Sequence, residues 1–505
     1  MFKITVKPAV DQALAAAFPL PKNSAQRALT KYAHTLAKLL QQAVLYGQTP
    51  AQRKLGTYSI SLQRLANEGG QIGPDRIRVH AWLRENGFEL VRTVTPGSNL
   101  TGRLSDVKLT NLVEVHYESE IVDEEEVNLT QKERITTRAN EDFDRNPDQY
   151  DALEVDQSSL RSYIQWLTDQ ASFMSDGEKL TALTQARTIL ATASSEGGVY
   201  YQRKKPSVFG RMYYEGISIQ NVNKELRRAI LGDCWEYDIC SSVIAWKMGF
   251  AKWCLEVSGD GRTVRESFPV STCYLEDKAD FMWTMRHFTF LEGTNVPKDL
   301  QTKLLKQAVT AISFGARATA TGWYDMARSW TNPALVEIIK NPEERKRFLG
   351  DATMRRFIQE QNLLDDFIFQ HFKKDAGDVM DRPYLQTPSG RVSKSKVLAF
   401  YYQHSETNVM NVLREVAARH GYKPLANVHD AVFFRKQLGV DRKSEIEFEM
   451  QVQTSNPYFK LSSTQLLGYK SVNKEVIAFE EEHRARIADE EQFAAGYRSH
   501  WSQAI

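Results

Sequence analysis

Cysteine is scarce: Cys234, Cys240, Cys254 and Cys273 are the only four in 505 residues, and no two of them form a C-x-x-C pair. That excludes a zinc-ribbon pattern and a disulfide framework, so reduced thiols are expected. No apolar run is long enough to span a bilayer, and the opening MFKITVKPAV lacks the apolar core and cleavage site of a signal peptide. The expectation is an intracellular, cytoplasmic protein with no membrane partner. Net charge is only +2, which by itself argues neither for nor against nucleic acid, and no internal repeat is visible. An apolar fraction of 42% excludes a disordered class, and the length predicts two or three globular domains.

The charge is unevenly placed. Residues 118–156 hold fourteen acidic and four basic side chains, whereas 201–232 hold seven basic and two acidic ones. The first stretch reads as an acidic linker or solvated surface, the second as a candidate phosphate-binding surface or a solvated basic face. Upstream, Leu29, Tyr32, Leu36, Leu39 and Leu40 predict a helix over 24–46, and a short second helix is expected over 59–68. Pro74-Asp75 predicts the start of a third helix carrying Ile77, Val79, Trp82 and Leu83. Strands are expected over 88–94 and 104–109. Three helices and a hairpin resemble a winged helix, with Arg76, Arg78, Arg84, Arg92 and Arg103 for DNA, or with a protein partner instead. The expected domains are therefore 1–117, a linker over 118–156, and 157–505.

Three segments carry chemistry. In WEYDICSSVIAWKMG a strand should end at Ile239 and a helix begin at Ser241, leaving Asp238 at the junction beside the Ile239 carbonyl. A carboxylate there can bind a hard divalent cation, or simply cap the helix. In PLANVHDAVFFRK two apolar strands meet at His429-Asp430, so Asp430 should stand at the tip of a tight turn; an ordinary polar hairpin is the alternative. In LLKQAVTAISFGARATATG a helix should carry Lys306 and Phe314 two turns apart, as a phosphate-binding ammonium and a ring under a base pair, or as a surface lysine and a core phenylalanine.

In their order these segments resemble the superfamily of family A DNA polymerases and the single-subunit RNA polymerases of bacteriophages and mitochondria. Ser207-Val-Phe-Gly210-Arg211 is similar to its T-x-x-G-R element, and Ile219-Gln220-Asn221-Val222 to its L-Q-N-I. Asp238, Lys306 with Phe314-Gly315, and His429-Asp430 stand as motifs A, B and C. Thr387 to Arg391 and Gln403-His-Ser-Glu406, expected to open an amphipathic helix, match elements between B and C. The resemblance covers roughly 200–436 and implies an α+β right-hand polymerase with palm, fingers and thumb, behind a mainly helical N-terminal region. It also implies a DNA template, nucleoside triphosphates and two Mg2+ ions held by Asp238, Asp430 and the Ile239 carbonyl. Lys306, Phe314 and Gly315 would bind the nucleotide; Arg211, Gln220, Gln403 and His429 would contact template or primer.

Val243 stands where family A DNA polymerases carry the glutamate that excludes a ribose, and motif B follows the phage form. DNA-directed RNA synthesis is therefore favoured, in the host cytoplasm if the chain is phage-encoded. A compact DNA polymerase or primase-polymerase is the alternative, and a nucleic-acid-binding protein with a vestigial palm a third reading. Two departures matter: Phe314 replaces the usual tyrosine, and Thr302 replaces an arginine for which Lys303 would substitute. An accessory protein for initiation fits the same picture.

Overall fold

The apolar spacing over 24–46 becomes the helix Ser24–Leu45, which buries Leu29, Tyr32, Leu36, Leu39 and Leu40. The structure is a computed structural model that describes residues 2–19, 23–45, 52, 55–97, 103–117, 146–170, 176–259, 261–324, 330–387 and 389–469. It is of the α+β class, with small antiparallel sheets among many helices. The chain divides into two compact units: Met1–Lys205 with Tyr213–Cys234 and Gln465–Asp489, and Pro206–Met212 with Trp235–Thr464 and Glu490–Ile505. Among the described residues, no helix is long and apolar enough to cross a membrane.

In the first unit the helix Ser24–Leu45 is followed by strand Tyr58–Ile60, short helices Leu62–Glu68 and Val79–Glu85, and strands Val91–Thr95 and Ser105–Leu109. The last two strands pair antiparallel, and Tyr58–Ile60 joins the outer side of Ser105–Leu109. The second helix begins at Leu62, capped by the Ser61 hydroxyl, because the aromatic and β-branched residues before it pair as a strand. The third helix does not open at Pro74. Arg76 takes a left-handed φ of 50°, which no helix can pass through, and Ile77–Arg78 instead pairs with Gln71–Ile72. Arg76 and Arg78 therefore precede the helix that they were expected to occupy.

Of the acidic stretch, residues 118–145 lie outside the described residues; its end, Tyr150–Glu154, is a strand paired with Val199–Pro206. That pairing brings Asp151 to 3.6 Å from Lys204, while Glu215 lies 3.4 Å from Arg203. Much of the basic stretch is thus already answered by carboxylates. Tyr58 donates to the Gly177 carbonyl, and Leu180 is buried in the same core as Leu36 and Val107, so the segment after 176 completes the N-terminal core.

The second unit is built on a four-stranded sheet. Its elements are strand β1 (Cys234–Ile239), helix α1 (Ser242–Ser258), helix α2 (Lys298–Ser313), helix α3 (Ala352–Asp375), helix α4 (Lys394–Arg419), strands β2 (Pro424–Val428) and β3 (Ala431–Phe434), helix α5 (Val440–Gln453) and strand β4 (Leu461–Leu466). The sheet order is β2-β3-β1-β4, with β1 and β2 both antiparallel to β3. Beneath it α4 and α5 bury Val409, Leu413, Val416, Ile446 and Met450 against Tyr237, Val432 and Phe434. The amphipathic helix read downstream of Gln403 is thus present, but it opens at Lys394, where Val397 and Phe400 are already buried, and Gln403 lies inside it. A separate helical cluster packs α1, α2 and α3 through Met248, Val309, Ile312, Phe357 and Leu364.

Tyr237 points into the core beside Asp238, and its hydroxyl accepts the Leu438 amide at 2.7 Å. Tyr237→Phe would leave that buried N–H without a partner, at a cost of about 1–3 kcal/mol. The urea midpoint should fall accordingly, with the slope of the transition unchanged.

Candidate active site

Burial alternates along β1, with Tyr237 and Ile239 inward and Asp238 half-buried. The chain then turns sharply through Ser241, whose φ of 48° and ψ of 45° are left-handed, into α1. Asp238 is therefore a strand residue; Ser241 occupies the N-cap position, and the capping reading of Asp238 does not hold. On the neighbouring hairpin, β2 and β3 are joined by His429-Asp430 alone, with His429 at φ 50°. Because Asp238 pairs with Ala431, the next residue back, Asp430, stands beside it; the Ile239 amide reaches the Asp430 carbonyl at 3.4 Å.

This closeness has an electrostatic signature. Burial, then the charges of Asp430 and Glu236, push the Asp238 carboxyl up to about 7, while Lys306 and the Ile239 amide pull the other way. Asp238 Oδ1 is buried and receives no hydrogen bond. A buried, repelled carboxylate oxygen of this kind fits a divalent cation. Among the described residues no group of three or more His, Cys, Asp and Glu side chains gathers. Two carboxylates with open positions suit Mg2+, which keeps waters or substrate oxygens in its shell, better than a closed structural site.

Lys303 and Lys306 are exposed on α2. That helix ends at Phe314, 51% exposed, followed by Gly315 at φ 79°. The Phe314 ring meets the ring of Tyr402 on α4 edge-on, with centroids 5.4 Å apart. The Tyr402 hydroxyl lies 2.8 Å from Ser242 Oγ and donates to Glu406 Oε1. Burial and the Glu406 charge hold that phenol well above its ordinary range, so it remains a hydroxyl. Glu406 is in turn gripped by Arg211 through two bonds, of 2.5 and 2.9 Å. Val243 is buried in the same core cluster as Tyr402, so the ring beside Phe314 belongs to Tyr402.

Arg211 closes a five-residue turn in which the Ser207 amide bonds the Arg211 carbonyl and the Gly210 amide bonds Ser207. Gly210 has φ 91°, and a Cβ there would fall 2.6 Å from the His404 ring. Thr387 and Arg391 close a turn with the same two bonds. Gln403 lies next to Tyr402 on α4, and His429 is half-buried in the hairpin turn. Gln220 belongs to the first unit.

Two residues absent from the sequence reading join the site. One is Tyr402, whose only linear signal is its i,i+4 spacing to Glu406. The other is Lys278, which donates to Ser241 Oγ at 2.9 Å and lies over the Tyr274 ring. Nothing in the sequence links Lys278 to the Asp238 junction. No protein-family model and no curated protein matches the chain.

The raised Asp238 carboxyl makes stability depend on pH. The folded protein holds that proton to about pH 7, whereas the unfolded carboxyl releases it near 3.8, so ionising Asp238 costs stability as pH rises through this window. Asp238→Asn should therefore melt about a few degrees above the wild type at pH 8, the gap closing toward pH 4. Mg2+ should raise the wild-type Tm more than that of the variant. Parallel pH profiles for the two proteins would mean that Asp238 is not under this repulsion.

Proposed function

We propose that the chain is a template-directed nucleotidyltransferase with a right-hand palm, and that DNA-directed RNA synthesis is its reaction. The observation that carries this is the pairing of Asp238 with Ala431, which sets two carboxylates side by side with Lys306 in electrostatic reach. A polar hairpin or a helix cap would need no such arrangement. Asp238, Asp430 and the Ile239 carbonyl would hold two Mg2+ ions, which when bound acidify the primer 3′-hydroxyl and neutralise charge on the departing pyrophosphate.

The protein's own side chains then bind and orient. Lys306 and Lys303 from α2, and Lys278 beside Ser241, would supply cations for the triphosphate. Lys278 stands at the Asp238 junction with a neutral hydroxyl as its hydrogen-bond partner. Phe314 and Gly315 form an exposed apolar end on α2 against which the nascent base pair would rest. His429 stands next to Asp430, where the primer end would lie, and Gln403 and Arg211 border the strands beyond. In the first unit the strand order, with Tyr58–Ile60 outside the hairpin, supports the winged-helix reading. Its DNA-facing helix would be Val79–Glu85, with Arg84 on it, Arg92 on the first strand of the hairpin and Arg103 just before the second.

Ribonucleotides are favoured because no acidic side chain occupies position 243; the Tyr402 hydroxyl behind Phe314 is buried and already engaged by Ser242 and Glu406, so discrimination against the deoxy sugar should be modest. A polar partner for the 2′-hydroxyl is what lets a site reject the deoxy sugar. The purified protein, given single-stranded DNA, Mg2+ and one class of nucleotide with or without a primer, should make RNA, and Asp430→Ala should abolish synthesis while leaving DNA binding intact. Near-normal extension by Asp430→Ala would remove the active-site assignment. Incorporation of deoxyribonucleotides alone would favour the DNA polymerase or primase-polymerase alternative.

Sugar selection gives a sharper test. Phe314→Tyr should raise the ribose preference by about tenfold, by adding a hydroxyl at the exposed end of α2. Competition between ribo- and deoxyribonucleotides on one template reads the effect. An unchanged ratio in Phe314→Tyr would mean that residue 314 does not face the sugar.

A further inference from the structure

A helix leaves its last carbonyls without intrahelical donors. At the end of α2 one of these, the Ser313 carbonyl, is met by a charged side chain from another element: Lys247 Nζ of α1 donates to it at 2.6 Å. The same ammonium donates to Gln361 Oε1 at 3.2 Å and pairs with Asp365 Oδ1 at 2.5 Å, both on α3. Gln361 is itself held by the Ser271 hydroxyl. Lys247 and Asp365 side chains are 2% and 5% exposed. Burial pulls the lysine down and pushes the aspartate up, which marks the pair as costly to desolvate. Apolar residues of the same volume would generally hold a core at least as well.

What distinguishes this pair from a core contact is its address. The carbonyl it grips belongs to the residue before Phe314, whose ring is exposed. Asp365 Oδ2 lies 3.6 Å from where a side chain on Gly315 would begin. Lys247 sits on α1, the helix that follows directly from the Asp238 strand. We propose that Lys247 and Asp365 are positioning residues that fix the Phe314-Gly315 end of α2 to the helix following Asp238, and so set nucleotide affinity and sugar selection and not the chemical step. This rests on the nucleotidyl-transfer reading above. A helix end free to shift by about 1 Å would spoil the nucleotide's alignment without disturbing the carboxylates.

The test removes the positioning bond without leaving a lone buried charge. Lys247→Met alone strands Asp365 as an unpaired buried charge, so the decisive variant is the double one, Lys247→Met with Asp365→Asn. It should melt close to the wild type, raise KM for the nucleotide about tenfold with kcat changed less than about threefold, and blur sugar selection. Backbone amide exchange over 312–316 should quicken in the same protein while exchange in β1 and β3 does not. Wild-type KM and wild-type exchange in the double variant would overturn the proposal and leave the pair as a core contact. Exchange is measured without substrate. If the wild type makes no nucleic acid, the nucleotidyl-transfer reading fails, while quickened exchange at 312–316 would still establish the cap.

Discussion

The register of β1 against β3 is the constraint on which the site depends. With Asp238 opposite Ala431 and Asp430 next in the turn, two carboxylates share one end of the sheet. A slip of one residue would reverse the faces of β1, sending Asp238 into the core and Tyr237 out. That slip is opposed from below, where Tyr237, Val432 and Phe434 pack on Leu413, Val416 and Ile446. The hydrophobic face of the sheet thus stabilises an arrangement that its polar end resists, since the turn stores a left-handed His429 and the carboxylates repel. Strain and repulsion in one place are thus offset by apolar burial in another.

How much of this could be read from the sequence varied with distance along the chain. β1, its junction with α1 and the β2-β3 hairpin follow from local change of period, and the structure has β1 and the start of α1 within a residue of the expected limits; α2 instead opens at Lys298, ahead of the segment that announced it, and ends at Ser313, so Phe314 caps it. The α4 start was misjudged because Gln403 to Glu406 carry polar residues that suggest a helix opening, while the apolar spacing of Val397 and Phe400 already belongs to the same helix. The helix expected from Pro74 failed for a different reason: an arginine gives no local sign that it will adopt a positive φ. Lys278, Tyr402 and Lys247 could not be found by spacing at all. Their partners, Ser241, Ser242 and Ser313, lie 37, 160 and 66 residues away, and only packing brings them together.

The polar groups behind Phe314 form a connected set. Ser242, Tyr402, Glu406 and Arg211 join the start of α1 to α4 and to the turn at Ser207. Glu406 is nearly fully buried, and a carboxylate so placed needs the bidentate guanidinium that Arg211 gives it. Arg211 is therefore committed to structure through two of its five N–H groups. The resemblance that assigned it to the template carries over as position more than as free charge.

The same distinction sorts the cations of the whole chain. A basic stretch suggests a phosphate-binding surface only if its charges are unspent, and over 201–232 most are spent: Arg203, Lys204, Arg211 and Arg228 each face a carboxylate. Lys278, Lys303 and Lys306 lie in segments where charge counting showed nothing, yet among the described residues none of them makes an ion pair. A cation already paired must lose one partner to gain another, and the exchange yields little. On the proposed reaction, a cation held by a hydroxyl, or standing in solvent, would give most of its interaction to an incoming triphosphate. Affinity for the nucleotide is therefore expected to come from these three lysines, although the density of positive charge in the sequence points elsewhere.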